Sequence, residues 1–131
     1  MSFHVRIQVG SELYAMPVAN VIEVAKIGDV VAVPGSRAEL LGVRDLRGQI
    51  LPVVDLALLL GIQQAKPPGH LLVAEAGSRR AGFAIHEVSE VGELPEPGVE
   101  TQSDLLRGAA LVDNDLIGVV DVARVFDAFE R

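Results

Sequence analysis

The sequence predicts an all-β protein of two small barrels or sandwiches related by internal duplication. Many short apolar segments alternate with glycine turns, and only short helical segments occur among them. The pattern also recurs at an offset of 66 or 67 positions, which relates Gly42 to Gly108 and Asp55 to Asp121. Each half is small enough to bury only about 60% of its unfolded surface. We therefore expect the two halves to pack on each other.

Composition narrows the possible functions. Half of the 131 residues are apolar, which is enough for a real core, and the net charge of −7 argues against nucleic acid or anionic lipid as partner. Because cysteine is absent, a disulfide framework, a thiolate metal site and a cysteine nucleophile are excluded. No signal peptide and no apolar run of about 18 to 20 residues is visible. The sequence predicts a cytosolic protein without direct membrane insertion.

The first quarter of the chain predicts three strands. Apolar residues alternate with polar ones from residue 3 to 9, which is typical of a half-buried strand, and a turn at residues 10–12 follows. A second strand is predicted over residues 13–18 and a third from Val21 onward. The capping-box spacing of Ser36 and Glu39 then predicts one helical turn.

A hairpin is predicted at the centre of the chain. Two apolar runs, residues 40–46 and 49–54, are joined by Arg47-Gly48, and glycine tolerates the positive φ of a tight turn. Arg47 should therefore project from the turn. Asp55 follows as the predicted N-cap of a short helix over residues 56–60.

The remaining residues repeat this plan. We predict a first barrel over residues 1–62, a linker over residues 63–69 that contains two prolines and a glycine, and a second barrel over residues 70–131. Asp121 repeats the Asp55 cap. The apolar residues after it predict one face of a C-terminal helix.

The central segment resembles the signature of the CheW family of chemotaxis adaptors. It reads Leu-Gly-Val from residue 41, Leu-Arg-Gly from residue 46, and Ile-Leu-Pro-Val-Val-Asp-Leu from residue 50. The resemblance extends over essentially the whole chain. It implies two SH3-like five-stranded β-barrels packed together, without cofactor or enzyme activity. It further implies an adaptor at membrane-associated receptor arrays, binding the cytoplasmic tip of chemoreceptors and the regulatory domain of the histidine kinase CheA.

The resemblance also implies the residues that bind partners. Arg47 matches the family's receptor-contact arginine, and Val21 and Glu23 match further partner-binding positions. From the residues alone, Arg47 and Glu23 could equally be solvated and Val21 could belong to the core. The chain departs from the family pattern beside this surface, at Arg37, Ala38, Glu39, Arg44 and Asp45, where the family usually has two prolines, an aromatic, an apolar residue and Asn.

Two alternatives to a chemotaxis adaptor stay open. The chain could be a CheW-like binding module of another two-component signalling system, or one that associates with itself. It could also be a small hydrolase with an Asp55/Asp121 pair that shares a proton as in aspartic proteases. Neither aspartate is followed by the Thr/Ser-Gly of those enzymes, so helix capping is the favoured interpretation. The three histidines are too scattered to predict a metal site.

Overall fold

The computed structural model describes residues 2–130, so Met1 and Arg131, the ends of the two predicted repeats, lie outside it. The strands are β1 (Ser2–Val9), β2 (Glu12–Pro17), β3 (Val21–Lys26), β4 (Leu40–Leu46), β5 (Gln49–Asp55), β6 (His70–Ala76), β7 (Arg79–Ile85), β8 (Glu87–Leu94), β9 (Leu106–Val112) and β10 (Asp115–Val120). The helices are α1 (Leu56–Leu60), α2 (Val122–Glu130) and a 3₁₀ helix (Val18–Asn20).

The strands form two five-stranded sheets. Sheet 1 has the order β8-β1-β2-β10-β9, and sheet 2 has the order β3-β6-β7-β5-β4. Neighbouring strands are antiparallel except for β2 with β10 and β5 with β7, which are parallel. The predicted all-β fold of two five-stranded units is confirmed.

The two sheets do not coincide with the two halves of the sequence. Sheet 1 takes β1 and β2 from the first half and β8, β9 and β10 from the second, and sheet 2 has the reverse composition. The expectation that residues 1–62 and 70–131 would each make their own barrel is corrected accordingly. The cause is that β1 and β2 pair with strands of the other half, so each half supplies a hairpin to its partner's sheet.

The duplication is visible in the pairing register. In sheet 1 Val119 lies opposite Ala15, and in sheet 2 Val53 lies opposite Gly82, which is the same pair after the sequence offset. The β9–β10 and β4–β5 ladders also carry a bulge at the same relative place. Two equivalent sheets thus result from one repeated plan with exchanged hairpins.

Three apolar clusters fill the molecule. The largest, which we call the central cluster, lies between the sheets. It includes Ile7 and Met16 from sheet 1, Leu72 and Phe83 from sheet 2, and Phe126 from α2. The other two lie on the opposite face of each sheet. Alternation along each strand sends successive side chains to the central cluster and to the sheet's own cluster. Each sheet is therefore buried on both faces.

Each sheet curls into a barrel. In sheet 1, Leu94 of the edge strand β8 and Ala110 of the opposite edge strand β9 lie in one cluster. In sheet 2, Ile27, directly after the edge strand β3, packs against the cluster that contains Leu46 of the opposite edge strand β4. No helix within residues 2–130 has the length and apolar character needed to cross a bilayer.

The C-terminal helix is fixed to sheet 2. Phe126 packs edge-to-face on Phe83 with the ring centroids 5.6 Å apart. Arg79 donates a hydrogen bond of 2.6 Å to Asp127, and its guanidinium lies 5.3 Å from the centre of the Phe126 ring. The predicted apolar face of this helix is the face that contacts the central cluster.

The helical turn predicted for Ser36–Glu39 is wrong. Ser36 and Arg37 have irregular backbone and Ala38 and Glu39 form a turn, and the Ser36 hydroxyl donates to the carbonyl of Leu40 at 3.5 Å rather than capping a helix. Arg37 donates to the carbonyl of Ala128 at 3.1 Å and pairs with Glu39 at 3.2 Å. Contacts with the end of α2 therefore override the local capping signal.

Gly42 lies against the backbone of Val31, and this close contact can be tested by mutation. Its φ is 151°, and a β-carbon would lie 2.6 Å from the carbonyl carbon of Val31 and closer still to its oxygen. Gly48 has a φ of 87° but open space around it. We expect Gly42→Ala to lower the free energy of unfolding by about 2 to 4 kcal/mol and Gly48→Ala by only about 1 kcal/mol, measured by urea denaturation. Equal losses of unfolding free energy in the two variants would mean that the contact with Val31 does not restrict which residue fits at position 42.

Candidate functional site

The turn between β4 and β5 is built to project one side chain. Leu46 pairs with Gln49, so the turn consists of Arg47 and Gly48, with φ of 52° and 87°. Two positive φ values are typical of the type I′ hairpin turn, which matches the twist of the strands. Asp45 Oδ1 accepts the Gly48 N–H at 2.8 Å and fixes the turn. Asparagine, the family's usual residue here, could accept the same bond.

Arg47 pairs with Glu23 across the gap between the edge strands of sheet 2. The Arg47 guanidinium donates to the Glu23 carboxylate, and the side chains are 68% and 29% exposed. Two of the three predicted site residues therefore lie together, although they are 24 positions apart. An exposed pair of this kind contributes about 0 to 1 kcal/mol to stability, so the fold does not depend on it.

A bulge in β3 separates Val21 from this pair. Val21 lies opposite Ala74 and Glu23 lies opposite Val73, which leaves Ile22 as an extra residue. The bulge thus turns Val21 toward the central cluster, which it contacts, and Glu23 toward the cluster of sheet 2. Ile22 itself is 44% exposed. The structure brings Glu23 and Arg47 together and places Val21 on the other face.

Three further polar residues join this pair at one end of the barrel. Arg80 donates to Glu75 at 2.6 Å and to Gln49 at 3.1 Å. By strand alternation Glu23, Gln49, Glu75 and Arg80 face the same side as the apolar cluster of sheet 2 and lie beyond its end. We call the set of Glu23, Arg47, Gln49, Glu75 and Arg80 the polar rim.

Sequence reasoning missed Arg80 and Glu75. Residues 70–76 and 79–85 are joined by Gly77-Ser78, and a two-residue turn places Glu75 opposite Arg80, as the structure shows. The signal was therefore present in the hairpin register.

The equivalent rim of sheet 1 has a different charge. The sequence offset relates Arg47 to Asp113 and Gln49 to Asp115, both exposed residues, and relates Arg80 to Leu13. Asp113 also occupies the same turn position, with a φ of 55°. The two equivalent barrel ends thus differ in charge, because the polar rim of sheet 2 pairs two arginines with two glutamates, whereas the positions of Arg47 and Gln49 in sheet 1 hold aspartates and the position of Arg80 holds a leucine.

The two repeated aspartates cap separate helices. Asp55 Oδ1 accepts the Leu58 N–H at 3.2 Å and Asp55 Oδ2 accepts from Gln64 at 3.1 Å. Asp121 Oδ1 accepts the Arg124 N–H at 3.2 Å. Asp55 is 7% exposed. Each carboxylate therefore has the hydrogen-bond partner of an N-cap.

A cleft of about 920 Å³ lies beside the predicted linker, residues 63–69. His86 Nδ1 accepts the Gly10 N–H at 2.9 Å, so His86 Nε2 carries the proton that it donates to the Lys66 carbonyl at 2.8 Å. His70 Nδ1 donates to the His86 carbonyl at 2.9 Å. These two histidines are neighbours, yet no group of three metal-ligating side chains occurs in the described part of the chain. The two hydrogen bonds of the His86 ring thus connect the linker at Lys66 with the β1–β2 turn at Gly10.

Comparison with known proteins identifies relatives of this fold and sequence. The profile of the CheW-like domain matches residues 4–130. A probable chemotaxis protein CheW of Rhizobium etli is 29% identical over 94% of this chain and 86% of its own length. The protein FrzA of Myxococcus xanthus is 30% identical over 88% and 72%. The crystal structure of a scaffolding CheW protein of Thermoanaerobacter tengcongensis superimposes with a TM-score of 0.85 and 25% identity, over 95% of this chain and 87% of its own.

The two aspartates should differ in how much they stabilise the protein. We expect Asp55→Ala to lower the free energy of unfolding by about 2 kcal/mol, because it removes a buried acceptor that serves two donors, and Asp121→Ala by about 1 kcal/mol, because that carboxylate accepts from one backbone N–H. Urea denaturation of both variants measures the difference. Peptidase activity that disappears in both variants while they remain folded would contradict the capping role.

Proposed function

Since the chain belongs to the CheW-like domain family, we propose that it is a non-enzymatic adaptor that couples chemoreceptors to a histidine kinase of the CheA type. The observation that carries this proposal is the Arg47–Glu23 pair, which joins the arginine at the family's receptor-contact position on the β4–β5 turn to Glu23 of β3. In this role the protein lies in the cytoplasm at membrane-associated receptor arrays. It works through its surfaces alone.

The geometry suits recognition of a helical receptor tip. Strands on both sides of the turn fix the direction of Arg47, and a guanidinium offers several donors in a rigid fork. Glu23 holds that fork in place before the partner arrives, which reduces the entropy lost on binding. A carbonyl or carboxylate of the receptor can then bind the remaining donors.

The kinase contact belongs on a different surface. The family resemblance assigns the regulatory domain of the kinase to another face, so both partners can bind one molecule at the same time. The duplicated fold supports this arrangement, because it offers two equivalent barrel ends with different charges. A hydrolase is disfavoured since both repeated aspartates use their carboxylates as helix caps.

A binding module of another two-component system is the second candidate. The departures at Arg44 and Asp45, which lie on β4 beside Arg47, favour it, because they alter the surface next to the receptor-contact arginine. A pull-down with the receptor and kinase fragments of the same organism separates the two candidates. Capture of the kinase fragment without the chemoreceptor fragment would support the second.

We expect Arg47→Ala to weaken binding of a chemoreceptor cytoplasmic fragment about thirty-fold, which corresponds to about 2 kcal/mol, the scale of an interface hot spot. The free energy of unfolding should change by no more than about 0.5 kcal/mol, because the residue is exposed. Binding of the kinase regulatory domain should change less. Isothermal titration against each fragment measures both affinities.

Asp113→Asn is the matched control, since Asp113 occupies the equivalent turn of sheet 1 with the same positive φ. This variant should bind the receptor fragment as the wild type does. Equal receptor affinity of Arg47→Ala and the wild type would remove Arg47 from the site. A large fall in melting temperature would instead show that Arg47 is structural.

A further inference from the structure

Arg44 crosses the gap between the two edge strands of sheet 2, which we call the seam. Arg44 lies on β4 opposite Leu51, and its guanidinium reaches the chain just beyond β3, at Gly28. A β-carbon on Gly28 would lie 2.8 Å from Arg44 Nη2 and 2.9 Å from Cζ. Because glycine has no side chain, the position of Gly28 leaves space for the Arg44 guanidinium. Glu23 and Arg47 bound the other end of the seam.

Arg44 forms no ion pair with any residue in the range 2–130. None of the ion pairs there includes Arg44, and its Nη1 is shielded from solvent without a hydrogen-bond acceptor. Leaving such a donor unpaired opposes folding, because the group loses its hydration and gains no bond. By contrast, Arg37, another departure from the family pattern, is accounted for by its contacts with α2 and Glu39.

The fold does not require an arginine at this position. The sequence offset relates Arg44 to Ala110 on β9, and Ala110 is 1% exposed inside the cluster of sheet 1. The equivalent barrel thus closes around a small apolar side chain. The unpaired Nη1 of Arg44 carries a desolvation cost that this alanine does not carry, which favours a role for Arg44 in binding a partner.

We propose that Arg44 is a specificity residue of the partner-binding surface, which binds a carboxylate that the receptor tip brings to the seam. This inference rests on the proposed function and deepens it. Arg44 is only partly buried, so rotation of its side chain can bring the guanidinium from the Gly28 space onto a partner oxygen. The bond that forms is charge-assisted, and the unpaired Nη1 gains an acceptor or is returned to solvent.

Charge complementarity selects an acidic partner residue. At the turn end of the seam Glu23 binds Arg47 and Asp45 accepts the Gly48 N–H, whereas toward the Gly28 end the Arg44 guanidinium forms no ion pair and its Nη1 has no acceptor. Exposed apolar side chains surround the seam: Ile22, Val24 and Val31. A helical segment of the receptor with apolar residues around one Asp or Glu fits this arrangement.

The test compares Arg44→Met with Arg107→Met in the full chain. Arg107 is an exposed arginine on β9 without an ion pair in the described residues, so it controls for the loss of one positive charge. Each variant is titrated with the chemoreceptor cytoplasmic fragment at low and high salt, and its melting temperature is recorded. Arg44→Lys is included because it retains the charge without the planar fork.

We expect Arg44→Met to bind at least about tenfold more weakly than the wild type, as the loss of a charge-assisted hydrogen bond predicts. Its affinity should depend less on salt, and its melting temperature should be unchanged or higher, because an unpaired charge has been removed. Arg44→Lys should lose less affinity and keep the salt dependence. Arg107→Met should bind as the wild type does.

Equal affinity of wild type and Arg44→Met would overturn the inference while the proposed function stands. A melting temperature of Arg44→Met clearly below that of Arg107→Met would make Arg44 a packing residue and would also overturn it. Failure of the wild type to bind the receptor fragment would contradict the proposed function itself. The same result would also contradict the specificity role of Arg44.

Discussion

The parallel pairing of β2 with β10 and of β5 with β7 is the constraint on which the rest of the structure depends. Through these two contacts each half of the chain gives a hairpin to the other half's sheet. Neither sheet is complete without both halves, and the central cluster takes its side chains from both. The edge strands that border the seam of sheet 2 likewise flank an apolar cluster whose side chains come from both halves.

Duplication made two equivalent barrel ends, and substitution then gave them different chemistry. Neighbouring residues of β7 illustrate the division: Arg79 pairs with Asp127 and fixes α2, whereas Arg80 faces the other side and joins the polar rim. One arginine serves the fold and the other the surface. Since aspartates occupy the positions of Arg47 and Gln49 in sheet 1 and a leucine occupies the position of Arg80, the fold itself does not require arginines at this end of sheet 2.

The sequence was sufficient to predict the strands, most of the turns and the duplication, because alternation of apolar residues and glycine turns are local signals. The contact of Glu23 with Arg47 was anticipated only as two separate positions, since strand alternation does not say which edges meet when a sheet curls. Exchange of hairpins could not be predicted, because repeated sequences fit either sheet equally well.

The prediction of a helical turn at Ser36–Glu39 was wrong for a related reason, because the contact of Arg37 with α2 joins residues far apart in the sequence. The sequence identified Arg44 only as a departure from the family pattern. That its Nη1 is buried without an acceptor is visible only in the folded chain.

The proposed adaptor role places partner recognition at the seam and polar rim of sheet 2 and not at the equivalent end of sheet 1. Backbone amide NMR of the isotope-labelled protein tests it most directly, during titration with the chemoreceptor cytoplasmic fragment. We predict that the largest chemical-shift changes occur in β3 and at the Arg47-Gly48 turn, while the turn at Asp113 stays unchanged. Changes centred on Asp113, with the Arg47 turn unaffected, would contradict the account.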